Sequence, residues 1–145
     1  MFKHVLVPTD GSKLSEAAAL MAVDLAKSTG AKITAITVSK PFRGSSTDYD
    51  MSDANEDDYN RECMKQATVS LDYIANAAKS SGVPFEGVHA FGEQPYASII
   101  DAAARKGCDA ICMASHGRKG VAALVLGSET VKVLTHSKVP VLVSR

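Results

Sequence analysis

Toward the carboxyl end of the 145-residue chain, Ala114-Ser115-His116-Gly117-Arg118-Lys119-Gly120 and then Gly127-Ser128-Glu129-Thr130 set glycines beside hydroxyls, basic side chains and a histidine. Glycine-rich turns and the amino end of a helix aim backbone N–H groups at a common point, and the missing side chains let phosphate oxygens approach. Arg118 and Lys119 add positive charge beside that point. The chemistry these residues suit is the binding of a phosphate-like anion. Taken alone, the same glycines would also serve ordinary tight turns, so the segment by itself leaves both readings open. No Gly-Lys-Ser/Thr phosphate loop occurs, and no Gly-x-Gly-x-x-Gly follows the first apolar run. Ordinary NTPase and dinucleotide-binding classes are thereby disfavoured.

The elements that must position these residues follow from the hydrophobic periodicity. Val5-Leu6-Val7, Ile33 to Val38, Ala110 to Ala114 and Val139-Pro140-Val141-Leu142-Val143 are apolar at successive positions. Strands buried on both faces, as in a parallel sheet covered by helices, have this pattern. Phe85 to Phe91 mixes polar and apolar positions and reads as a strand nearer an edge. Between the strands the period becomes helical. Leu14, Ala17, Ala18, Met21 and Leu25 form one stripe between a Ser12 N-cap and a Gly30 stop; Met64, Ala67, Leu71, Ile74 and Ala78 form a second, ending at Gly82. Pro95 opens a third helix carrying Ile99, Ile100, Ala103 and Ala104 and stopping at Gly107, and Ser128 opens a fourth with Val131 and Leu134 on one face. Strand and helix alternate without hairpin signals, which predicts one doubly wound α/β domain over residues 1–145. Ligands of such sheets sit outside the carboxyl ends of the strands, where the strand order reverses. Function is therefore to be sought in Thr9-Asp10-Gly11-Ser12, the segment from Ser39 to about Glu56, Gly92-Glu93-Gln94, and Ser115 through Ser128.

Composition bounds the rest. With 46% hydrophobic and 22% charged residues the chain is an ordinary globular one, and sixteen Lys+Arg against sixteen Asp+Glu give no overall pull toward nucleic acid or anionic lipid. Cys63, Cys108 and Cys112 are an odd number without repeated spacing, as expected of reduced thiols in the cytoplasm. No signal peptide and no membrane span are expected. Asp48, Asp50, Asp53, Glu56, Asp57 and Asp58 fall in a stretch without basic residues from Ser45 to Asn60, which reads as a surface loop over 41–58 and does not fit a Ca²⁺ loop.

Ala114-Ser115-His116-Gly117, nine further residues and Gly127-Ser128 resemble the nucleotide-binding pattern of the universal stress proteins, Gly-x-x-Gly-x9-Gly-Ser/Thr. Val5 to Ser12 is similar to the family's first strand and loop, and Ser137 to Val143 to its closing strand. The resemblance implies a five-stranded parallel sheet in the order 3-2-1-4-5 with helices on both faces and a homodimer joined through Val139–Val143. It also implies a site for ATP, or for ADP, AMP or cAMP, with or without Mg²⁺. Carried over by position, Asp10 lies at the adenosine end, the backbone of Val38 meets adenine, and Gly117, Gly127 and Ser128 hold phosphate. Pro8, Thr9, His116, Arg118, Glu129 and Thr130 are neighbours of that site. Ala114 departs from the pattern by a methyl where glycine is expected, which bears on affinity.

Phosphoryl transfer needs a metal, a placed nucleophile and charge stabilisation. Only Asp10 and Glu129 offer carboxylates there, and His116 reads as an anchor of its own turn, so slow ATP hydrolysis at most is implied. The resemblance thus implies a small cytoplasmic stress-response protein, sensing adenine nucleotide as a dimer. The alternative is a module of the same fold that binds partners and no nucleotide.

Overall fold

The computed structural model describes residues 1–43, 53–117 and 125–145, with the side chains of 53 and 54 left aside. The elements run β1 (His4–Pro8), α1 (Lys13–Thr29), β2 (Lys32–Ser39), α2 (Asp53–Ser80), β3 (Phe85–Phe91), α3 (Pro95–Lys106), β4 (Ala110–Ala114), α4 (Ser128–His136) and β5 (Val141–Ser144). The strands form one sheet in the order β3-β2-β1-β4-β5, and every pairing is parallel.

Local chemistry sets the helix ends. Ser12 accepts from the Ser15 N–H and caps α1, and Gly30 and Gly107 end α1 and α3 in the left-handed region with φ of 71° and 68°. Alternate residues of each central strand serve opposite cores. Val5, Val7, Ile33, Ala35 and Cys112 pack with Ala19, Ala22, Val23 and Ala26 of α1 and Ile74 and Ala78 of α2. Leu6, Ile36, Ile111 and Met113 face the other way, onto Ile99, Ala102 and Ala103 of α3 and Val133 of α4.

Three expectations need correction. The buried stripe of α1 is Ser15, Ala18, Ala19, Ala22, Val23 and Ala26, whereas Leu14 and Ala17 are exposed. Small side chains let the helix lie close on the sheet, and the larger leucine is left at the rim. Likewise Met64, Ala104, Val131 and Leu134 are exposed, and Thr130 with Val133 forms the buried side of α4. α2 begins at Asp53, so Glu56, Asp57 and Asp58 belong to a helix. Carboxylates in the opening turns complement the helix dipole, and by charge alone they look like a solvated loop. Asp48 and Asp50 lie outside the described residues. Finally β5 starts at Val141; Val139 and Pro140 precede it, although the Pro140 carbonyl still accepts from the Ile111 N–H at 2.9 Å.

Candidate functional site

β1 lies between β2, reached through α1, and β4, reached by a crossover to the other side, so the strand order reverses beside β1. A cleft of about 590 Å³ opens at this point, at the carboxyl ends of the strands. That is within the range of small-ligand sites.

The β1 side is built by Pro8, Thr9 and Asp10. The Thr9 N–H donates to the Ile36 carbonyl at 2.8 Å, which carries the chain straight off the sheet. Gly11, with φ of 78°, then turns it into α1. Asp10 Oδ1 accepts from the Ser12 N–H at 2.9 Å, and Thr9 Oγ1 both accepts from the Gly11 N–H at 3.1 Å and bonds Ser15 Oγ at 3.1 Å. This local network holds the Asp10 carboxylate toward β4.

On the β4 side, Thr130 of α4 donates from Oγ1 to the Ala114 and Ser115 carbonyls at 3.0 and 3.2 Å, and the Gly127 N–H donates to the Ser115 carbonyl at 2.8 Å. The amino end of α4 is thus pinned against the end of β4. Gly127 is its cap residue and supplies no side-chain bond. Two glycines bring the walls together. A Cβ on Gly117 would stand 2.6 Å from Asp10 Oδ2, and one on Gly127 would stand 3.2 Å from the Ser115 carbonyl oxygen. His116 bonds Ser115 Oγ through Nδ1 at 3.0 Å, while its Nε2 is buried and has no hydrogen-bond partner among the described residues.

Pro8, Thr9, Asp10, Val38, Ala114, His116, Gly117, Gly127, Ser128, Glu129 and Thr130, the described residues expected from the sequence, all line this one cleft. Arg118 lies outside the described residues. The floor is apolar, built by Ile36, Ile99 and Met113 of the core and by Pro95 at the start of α3, and the sequence pattern does not separate these positions from other core residues. Lys40 and Glu93 were missed as individual residues, although the strand-end rule had marked their loops. The Lys40 segment is fastened from α2, where Tyr59 OH donates to the Lys40 carbonyl at 2.6 Å and the Tyr59 ring packs on Phe42 at 5.4 Å. Arg43 approaches Glu93 to 2.8 Å across the mouth; this pair is largely exposed and contributes little to stability.

Among the described residues no group of three or more His, Cys, Asp or Glu side chains is placed to hold a metal ion. Among them, too, no helix is long and apolar enough to cross a membrane. Cys108 and Cys112 are buried, and burial above all pushes each thiol up to about 11. These two thiols are protonated packing groups at neutral pH. The cleft can enclose a flat apolar group against Ile36, Val38 and Ile99 and an anion at the α4 end.

The family model described as "Universal stress protein family" matches residues 1–145. Universal stress protein YxiE of Bacillus subtilis is 31% identical over 149 residues, covering 100% of both chains. Among solved structures, hypothetical protein MJ0577 superimposes with a TM-score of 0.83 at 24% identity, over 99% of this chain and 95% of that one. A universal stress protein solved in complex with cAMP matches with a TM-score of 0.70 at 24% identity, over 99% and 97% of the two chains.

Proposed function

We propose that this chain, which belongs to the universal stress protein family, binds an adenine nucleotide in the cleft at the carboxyl ends of its strands and acts as a dimeric stress-response sensor in the cytoplasm. The observation that carries this reading is the meeting of the Asp10 carboxylate, Gly117 and the amino end of α4 around one cleft. The relative solved with cAMP supports adenine nucleotide as the ligand class. In this reading the base lies on the apolar floor against the Val38 backbone, Asp10 meets the ribose, and phosphate rests on Gly117, Gly127 and Ser128 with the first-turn N–H groups of α4. ATP, ADP, AMP and cAMP are all candidates, and Mg²⁺ would reach the site with a polyphosphate. Pro8, Thr9, His116 and Thr130 shape the walls, and Arg118 adds charge from the segment that follows Gly117. Ala114 favours the alternative of an interaction module without nucleotide, because its methyl stands where the family pattern has glycine.

The test is Gly117→Ala. Gly117 is not in the left-handed region, so alanine is compatible with the backbone, but its methyl would contest the place of the Asp10 carboxylate. The expected result is a loss of about tenfold or more in nucleotide affinity with folding retained. Unchanged affinity would overturn this assignment of the cleft.

A further inference from the structure

One carboxylate ties two walls of the cleft together. α3 begins at Pro95, and its cap residue Gln94 makes no side-chain capping bond. The Tyr96 N–H is taken up from the neighbouring helix, donating to Glu129 Oε2 at 2.8 Å. Glu129 stands in the first turn of α4, and its Oε1 lies 3.5 Å from Lys132 Nζ. The Tyr96 ring in turn stacks on His136 with centroids 5.3 Å apart and carries Lys132 Nζ at 5.6 Å. Glu129 is therefore held at the edge of the cleft and cannot swing freely into solvent. The Lys132 contact is half exposed and offsets little of its charge.

Among the described residues that line the cleft, the charged ones are Asp10, Glu93 and Glu129 against Lys40. Glu129 is the carboxylate next in sequence to Gly127 and Ser128, where phosphate would rest. A fixed negative charge there repels each further charge on a phosphate chain, and a partly enclosed site screens that repulsion less than open solvent does. We infer that Glu129 is a specificity-determining residue: its anchored carboxylate admits an adenine nucleotide with a single phosphate, monoester or cyclic, and discriminates against the triphosphate. This inference rests on the nucleotide reading of the cleft.

The experiment measures affinities for cAMP, AMP and ATP without Mg²⁺, at one ionic strength, in the unmodified protein, Glu129→Gln and Glu129→Asp. The unmodified protein should prefer AMP and cAMP to ATP. Glu129→Gln keeps an acceptor for the Tyr96 N–H and removes the charge, so the ATP-to-AMP affinity ratio should rise about tenfold. Glu129→Asp keeps the charge and loses reach to Tyr96, so that ratio should stay within about twofold. A native preference for ATP, a ratio unmoved by Glu129→Gln, or an equal shift in both variants would overturn the inference and leave the nucleotide site standing. If none of the nucleotides binds any of the three proteins, the site reading fails and this inference with it.

Discussion

His4 shows how much one side chain depends on its surroundings here. Its ring is buried on β1 and bonds Thr34 Oγ1 through Nε2 at 2.7 Å. Burial, aided by Lys32, holds its pKa below the usual histidine value, outweighing the backbone hydrogen bond at Lys106 and the pull of Asp109 and Glu86. The unfolded chain therefore binds a proton more readily, so folding stability is full above about pH 6.5 and is lost as the pH falls toward the folded value. Burial lowers His89 in the same way. The melting temperature should fall from pH 7 to pH 5, and His4→Gln should flatten that slope; an unchanged slope would contradict the assignment. At this scale the sequence was most legible where backbone geometry dictates residue type. Ser12, Gly30, Pro95 and Gly107 each stand where their chemistry placed them. Glu129 was legible as a neighbour of the site, but its bond to Tyr96 was not, because nothing local pairs residues 33 positions apart.

At the scale of elements, the central strands were readable because burial on both faces leaves a continuous apolar run. Helix faces were harder to read. The helical period places a stripe only to within a neighbouring row, and α1 buries alanines in place of its leucines because the sheet is approached closely. A direct check compares two substitutions on α1. Ala22 is fully buried and Leu20 is 43% exposed, so Ala22→Leu should cost about 1–3 kcal/mol by overpacking while Leu20→Ala stays near ±0.5 kcal/mol. Denaturant unfolding measures both, and the reverse order would refute this packing of α1. The start of α2 was missed for a related reason. Acidic residues that suit the first turns of a helix have no apolar partners to give them a period.

For the whole molecule, the strand order was legible through the family pattern and not through the strands themselves, since periodicity says nothing about which strand lies beside which. That order leaves β5 at an edge, with Leu142 46% exposed and Val131 and Leu134 of α4 also exposed. An apolar edge strand is a template for pairing, and we propose that a second copy covers it. Light scattering should give twice the 15.2 kDa chain mass, and Leu142→Lys should give monomer; a monomeric native protein would contradict the dimer. The cleft follows from the same topology, because this order makes β1 and β4 neighbours.

The measurement that bears most directly on the account is calorimetric titration of nucleotide-stripped protein with AMP and cAMP, followed by ATP. Saturable binding near one nucleotide per chain is the predicted result. No heat and no competition from any of them would contradict a nucleotide site in this cleft and leave a partner-binding module of the same fold.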